Sequence, residues 1–280
     1  MSAFLRRHGL TINGRVLVMG IMNVTPDSFS DGGRLQTVEN VLSQATAMVT
    51  AGADILDIGG ESTRPAAAPV ARAEERARVV PAILAIRQAY PTLPISIDTT
   101  KAEVARAACQ AGATIINDIS ALRFDPAMAA VIREYDTPVI IMHMQGTPGD
   151  MQKNPAYGDV VTEIAAFLEE RLRWLEGQAI TRERVIVDPG IGFGKTVAHN
   201  LDILGHLERF AALGCPVLIG HSRKSLLGKL LNLEVDQRDL ATAVVSALCA
   251  AKGAAILRVH DVAGTIQAVR LAQAIPRGVT

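Results

Sequence analysis

The chain has 280 residues, with 28 Lys and Arg set against 28 Asp and Glu; a net charge of zero with no local basic surplus excludes a nucleic-acid partner. At 49% hydrophobic and 20% charged residues it can bury a core, which excludes disorder, and no apolar run approaches the ~18 residues of a membrane span. The length admits two domains of ordinary size or one α/β barrel of roughly 250 residues.

At the amino terminus, Arg6 and Arg7 have no apolar stretch behind them, so a secretory leader is not expected. His8–Arg15, with Asn13-Gly14 as a turn, predicts a small hairpin. A first strand is expected at Val16–Met19, then a long connection, Met22–Leu35, and a helix at Val38–Thr50. A second strand, Asp54–Ile58, leads through the long Gly59–Ala71 connection into Glu74–Ala89, where Pro81 predicts a kink or two consecutive helices. Strands at Pro94–Ile97 and Thr114–Ile116 flank a helix at Lys101–Gln110. A strand at Pro138–Ile141 and the long His143–Gly158 connection precede a helix at Glu163–Glu176. Strands at Arg184–Val187, Pro216–Ile219 and Ala255–Val259 complete the set, with a helix at Thr242–Ala251 before the last.

The eight runs are near-continuously apolar without clean alternation, as for strands buried on both faces. They recur about every 34 residues, the size of one βα unit. This predicts an α/β protein of one domain, a (β/α)8 TIM barrel over about 16–275, with the hairpin closing its floor. Three scattered cysteines, Cys109, Cys215 and Cys249, without a CxxC pair, point to reduced thiols and a cytoplasmic setting.

An internal repeat supports the barrel. Gly52–Asp57 (GADILD), Gly112–Asn117 (GATIIN) and Gly253–Arg258 (GAAILR) share a glycine suited to a left-handed helix cap, then a buried strand. Each ends on a polar residue, Asp57, Asn117 or Arg258, which structural repetition alone does not require. The long connections all follow strands, so the working face is the one where strands end. The polar strand ends are Asn23, Asp57 to Arg64, Asp98, Asn117-Asp118, His143, Asp188, His221 to Ser225, and Arg258 to His260. They should ring one pocket.

Arg64, Arg258 and His260 could converge with Asn23 on a phosphate or diphosphate. Ser222-Arg223-Lys224-Ser225 follows a strand and precedes a helix, where Ser225 would offer a hydroxyl and backbone N–H groups to a carboxylate. Asp98 and Asp188 each end an apolar strand and need partners. A flat heterocycle presenting an N–H and an amino group on one edge is such a partner, with Asn117 on the same edge and Lys224 on a ring carbonyl or nitrogen; capping of the next helix is the alternative for both. Pro189–Thr196 (PGIGFGKT) misses the phosphate-loop spacing by one residue. Its glycines fit close backbone approach to a flat ligand, with Phe193 available to pack on it. His143, His199, His206 and His221 lack metal-ligand spacing, and a hard ion such as Mg²⁺, held mainly by substrate phosphates with Asn23 as one protein oxygen, is the expected metal. No nucleophile–base pair stands out.

Seven ordered strings carry a family resemblance: MNVTPDSFSDGG (Met22–Gly33), DIGGESTRP (Asp57–Pro65), SIDTTKAEV (Ser96–Val104), IINDI (Ile115–Ile119), DPGIGFGK (Asp188–Lys195), SRKS (Ser222–Ser225) and RVHDV (Arg258–Val262). Together they resemble the dihydropteroate synthases over essentially the whole chain. The resemblance implies the same barrel, a homodimer, and condensation of 6-hydroxymethyl-7,8-dihydropterin diphosphate with 4-aminobenzoate to 7,8-dihydropteroate and diphosphate, through a pterin methylene cation. It implies pterin binding by Asp98, Asn117, Met142, Asp188, Phe193, Lys224 and Arg258. Diphosphate would be held by Asn23, Thr63, Arg64, Arg258 and His260, with Mg²⁺ on Asn23. The aminobenzoate site would use Phe29, Thr63, Pro65, Ser222 and Ser225, and Asp98, Lys224, Arg258 and His260 would carry the catalysis. The loops Val24–Leu35 and Thr63–Ala71 are expected to close over substrate; Ala66 replaces an expected glycine, and Thr100 stands at a variable position. Sulfonamide inhibition follows from the same resemblance. Two other readings share the pocket: a folate-dependent methyltransferase barrel with a corrinoid partner, and a pterin-binding paralogue without catalysis.

Overall fold

A computed structural model describes residues 3–24, 38–62 and 69–275. Its strands are β1 (Leu17–Asn23), β2 (Ile55–Gly59), β3 (Ile95–Asp98), β4 (Ile115–Asp118), β5 (Val139–Met142), β6 (Val185–Asp188), β7 (Leu218–Ile219) and β8 (Ile256–Val259). The helices are α1 (Ala3–Arg7), α2 (Val38–Ala51), α3 (Arg72–Ala89), α4 (Ala102–Ala111), α5 (Met128–Glu134), α6 (Val160–Gly177), α7 (Val197–Gly205), α8 (Leu207–Ala211), α9 (Ser225–Leu231), α10 (Asp239–Ala251) and α11 (Val262–Ala274). The sheet runs β6-β5-β4-β3-β2-β1-β8-β7, and each adjacent pair in that order is parallel. A parallel bridge between Val187 and Val217 closes the ring, with the Val187 N–H donating to the Pro216 carbonyl at 3.0 Å. This is a (β/α)8 TIM barrel. β7, at two residues, is the shortest strand, and the bridging Val217 precedes it directly.

Although the strands read as continuous apolar runs, their side chains alternate in direction. One parity (Val18, Leu56, Ile58, Ile97, Ile116, Ile141, Val187, Leu257) joins the large core between barrel and helices. The other (Leu17, Met19, Ile55, Ile115, Ile140, Ile186, Leu218, Ile256) fills the lower interior of the barrel. Both destinations are dry, so both parities are apolar in the lower part. Two residues further along, the inward parity becomes Asp57, Asp98, Asn117, Asp188 and Arg258, and the site begins there.

The floor is closed by a helix, not the expected hairpin. Leu5 of α1 and Leu10 are fully buried in the lower interior cluster. Gly14 does turn, at φ +77°, with the Arg15 N–H donating to Ile12 O at 2.6 Å. The preceding hydrogen bonds are nevertheless helical and local, Gly9 N–H to Arg6 O at 3.0 Å and Leu10 N–H to Leu5 O at 3.0 Å. Gly9, at φ +80°, ends α1 as a left-handed cap. Pro81 does not divide α3, which runs unbroken. It lies on the exposed face, where the Ala77 carbonyl it leaves unpaired can face water. The repeat glycines Gly52, Gly112 and Gly253 have φ of 104°, 114° and 94°, as their cap role requires.

Candidate active site

The register sets the site. Asn23 pairs with Gly59, Gly59 with Asp98, and Asp98 with Asn117, so adjacent strands bring these residues to one level. Across the barrel, Met142 is level with Asp188. Gly59 leaves a space that a Cβ would fill, 3.6 Å from Asn23 Oδ1 and 3.7 Å from the Asp98 Cβ; one at Gly220 would lie 3.7 Å from Asp188 Oδ2. The two glycines keep the centre of the mouth open for a ligand.

The three polar residues of the internal repeat meet here. Arg258 donates from Nε to Asp57 Oδ2 at 2.6 Å and from Nη2 to Asp98 Oδ2 at 2.6 Å. Asn117 Nδ2 reaches the same Asp57 oxygen at 3.3 Å. Burial lowers the guanidinium's proton affinity, but Asp57 and Asp98 more than reverse this and its pKa is raised. Burial raises the Asp98 carboxyl, with Arg258 opposing and Asp57, Glu75 and Asp118 adding to the rise. Asp57 Oδ1 and Ser96 Oγ are buried without a hydrogen-bond partner among the described residues. Asp98 does not cap α4: the residue before that helix is Lys101, which makes no side-chain cap.

Asp188 does not cap a helix either. Its Oδ1 accepts from Gly190 N–H at 2.7 Å, while Thr196 caps α7. Burial pushes the Asp188 carboxyl up to about 6 against the pull of Gly190, Lys195, Lys224 and Arg258. The turn after β6 lies directly on the chain beyond β5: a Cβ at Gly190 would be 2.0 Å from His143 O, and one at Gly194 2.7 Å from Gln145 O. Those contacts, together with φ of +74° and +66°, require glycine. Phe193 joins Met142, Met144, Met151 and Ile119 in an apolar patch. Lys224 Nζ lies 4.0 Å from the Phe193 ring centroid, a cation–π contact.

The SRKS string divides its work. Ser222 Oγ is 2.9 Å from His260 Nδ1 and accepts the His260 N–H at 3.1 Å, joining two residues that the sequence assigned to different substrates. Arg223 turns away to a bidentate pair with Asp239, at 2.6 and 2.7 Å. Ser225 is the exposed first residue of α9. His221 is fully buried against α10, on Thr242 O and Ser246 Oγ, each at 3.0 Å, an anchor and not part of the rim. Phe29, Thr63, Arg64, Pro65 and Ala66, with most of the two long loops, lie outside the described residues.

Sequence reasoning underweighted Asp57 and overlooked Lys195. Lys195 is 3% exposed and bonds to Phe193 O, His143 Nδ1 and His143 O at 2.8, 3.1 and 3.3 Å. It also overlooked a charge cluster at the base of the second loop. There Lys101 Nζ meets Glu61 and the fully buried Glu75, and Glu61 accepts Val70 N–H at 2.9 Å. Asp57 was visible as one of the three polar strand ends of the repeat; nothing in the sequence marked Lys195 as buried or Lys101 as paired to a buried Glu75.

A parallel barrel whose mouth combines buried carboxylates, an amide and cations around an open centre is built to hold a flat polar heterocycle, and residues 19–260 match the family model described as pterin binding enzyme. The chain is 45% identical to the dihydropteroate synthase of Escherichia coli (strain K12) over 260 residues, 92% of this chain and 90% of that protein. Among solved structures, the Yersinia pestis dihydropteroate synthase in a sulfonamide drug complex is similar with TM-score 0.90 and 43% identity, over 95% of each chain. The Xanthomonas albilineans enzyme in complex with 7,8-dihydropteroate is similar with TM-score 0.85 and 44% identity, over 95% of this chain and 97% of that one. The chain belongs to the dihydropteroate synthases, transferases of folate biosynthesis. The methyltransferase barrel and the non-catalytic paralogue give way to this assignment.

Proposed function

We propose that the chain condenses 6-hydroxymethyl-7,8-dihydropterin diphosphate with 4-aminobenzoate, and that Asp98, Asn117 and Asp188 grip the polar edge of the pterin. The observation that carries this is the collar itself: two buried carboxylates and an amide, facing an open centre beside Phe193 and Lys224. A carboxylate there accepts from a ring N–H and an exocyclic amino group together, which compensates its own desolvation. Met142 and Phe193 line the apolar face of the slot, and Lys224 donates to the ring.

Arg64, Arg258 and His260 stabilise the leaving diphosphate, with Asn23 and Thr63 beside them. The carbon–oxygen bond breaks with its electron pair going to diphosphate. The positive charge left on the methylene carbon spreads over the pterin, where Asp98 and Asp188 stabilise it. The amine nitrogen of 4-aminobenzoate, neutral at pH 7, then attacks that carbon and releases a proton, so no strong general base is needed. Phe29, Thr63, Pro65, Ser222 and Ser225 shape the aminobenzoate site; the Ser222–His260 hydrogen bond supports coupling between that site and the diphosphate clamp.

Mg²⁺ fits this mouth: a hard ion carried mainly by phosphate oxygens needs few protein ligands, and the half-buried Asn23 carries a side-chain oxygen beside the space left by Gly59. Asn23 would hold the ion, which when bound neutralises charge on the leaving diphosphate.

We read the protein as a cytoplasmic homodimer. Three free, buried cysteines support a reducing compartment. On α10, Leu240, Val244 and Leu248 form an exposed i, i+4, i+8 stripe, which supports burial against a second copy. Incubating the chain with both substrates and Mg²⁺, then detecting 7,8-dihydropteroate by mass spectrometry, tests the reaction; no product would overturn the proposal.

A further inference from the structure

The turn 189–195 that forms one wall of the pterin slot has little internal structure. Gly190, Gly192 and Gly194 all have positive φ, at 74°, 82° and 66°, and within the turn the Phe193 N–H bonds to Gly190 O at 3.1 Å. Its shape is held by side chains from outside. Gly192 N–H donates to Asn200 Oδ1 at 2.8 Å, Gln152 Nε2 donates to Gly192 O at 2.5 Å, and Tyr157 OH to Gly194 O at 2.8 Å. Lys195, the last residue of the turn itself, completes the set from within. Its ammonium gathers Phe193 O, His143 O and His143 Nδ1 into one knot between the turn and the end of β5.

The knot fixes protonation states. Burial, with Lys195 and Arg123 adding to it, drives the His143 imidazole down to about 2, so the ring is neutral and its Nδ1 can accept from the Lys195 ammonium. Among the described residues Lys195 makes no ion pair with a carboxylate; burial lowers its ammonium to about 7, with Asp188 opposing the fall and Lys224 adding to it, so it carries its charge below that pH.

We propose that Lys195 is a positioning residue for the pterin slot: it locks the Phe193 wall onto β5 and places a buried positive charge behind Asp188. This rests on the pterin reading above and assigns a role to a buried cation that the condensation itself does not use. The charges facing Asp188 are Lys195, Lys224 and Arg258; those facing Lys195 are Asp188 and Lys224, besides the neutral His143. Asp98 titrates in the same collar under the influence of Arg258, Asp57, Glu75 and Asp118, and Lys195 is not among its causes. Removing Lys195 therefore shifts Asp188 selectively.

The test is a fluorescence titration of the full chain with 6-hydroxymethylpterin between pH 5 and 7.5, for the wild type, Lys195→Met and Lys195→Gln. The wild type should bind saturably and lose affinity as pH falls from about 7 to about 6, where Asp98 and then Asp188 are protonated. Lys195→Met should bind roughly tenfold or more weakly at neutral pH, because two buried carbonyls lose their donor, and its acid midpoint should move to higher pH because Asp188 loses a cation. Lys195→Gln keeps a donor and should share the midpoint shift with a smaller loss of affinity. A structural role alone would weaken binding without moving the midpoint. Wild-type protein that fails to bind pterin would refute the pterin reading, and this proposal with it. Wild type that binds while folded Lys195→Met matches it in affinity and midpoint would refute the Lys195 role alone. If Lys195→Met does not fold, an unmoved midpoint in Lys195→Gln refutes that role equally.

Discussion

Asp188→Asn should make the protein more stable and less active, by amounts that depend on pH in opposite ways. Asp188 is 5% exposed, and burial lifts its carboxyl from 3.8 to about 6. At 1.36 kcal/mol for each tenfold change in proton affinity, that rise is worth about 3 kcal/mol, net of the opposing pull of Gly190, Lys195, Lys224 and Arg258. A folded pKa above the unfolded one means the native state holds its proton more tightly. The group's stabilising contribution is therefore complete below about 4 and lost as pH rises through about 6. Asparagine mimics the protonated form at every pH and can still accept the Gly190 N–H. Above pH 6.5 the variant should melt about 6 °C higher, at roughly 2 °C per kcal/mol for a chain of this size, and the gap should close towards pH 4. Thermal melts of both proteins at half-unit steps from pH 4 to 8 give the difference curve. Catalytic efficiency should behave the other way: wild-type kcat/KM for pterin diphosphate should fall below about pH 6, whereas the variant should be poor throughout. A melting difference that is flat in pH, or a variant less stable at pH 8, would refute the electrostatic reasoning.

Lys224→Ala should cripple turnover, since it removes the cation over Phe193, whereas Cys109→Ala, far from the mouth in the core around the barrel, should leave kcat/KM nearly unchanged; equal effects in steady-state assays would contradict the site. Leu240→Glu, at the most exposed end of the α10 stripe (78% exposed), should shift a dimer to monomer in analytical ultracentrifugation while leaving the melting temperature of the monomer within a few degrees. A variant that remains dimeric would move the interface elsewhere.

The barrel was legible because eight apolar runs recur at the spacing of a βα unit, and the internal repeat marked Asp57, Asn117 and Arg258 as strand ends before their mutual hydrogen bonds were visible. What the sequence hid was three-dimensional partnership. Asp98 and Arg258 lie 160 residues apart, and nothing local says that one neutralises the other. Arg223 and Lys224 are neighbours in a basic string, yet Arg223, held at φ +55°, faces Asp239 while Lys224 faces Phe193. Lys195 looked like the end of a glycine-rich turn, because burial of a lysine depends on the carbonyl of His143, just beyond β5, and on one of the turn itself. Asn13-Gly14 suggested a hairpin where Gly9 was already ending a helix, and Pro81 suggested a break that an exposed face of α3 tolerates.

The central claim is that this mouth breaks the pterin carbon–oxygen bond and joins the fragment to an aromatic amine. The most direct measurement follows diphosphate and 7,8-dihydropteroate together, in the presence of pterin diphosphate and Mg²⁺, with and without 4-aminobenzoate. One diphosphate should be released for each dihydropteroate formed, with sustained turnover only when the aminobenzoate is present. Diphosphate release without any dihydropteroate, or neither product at all, would contradict the claim.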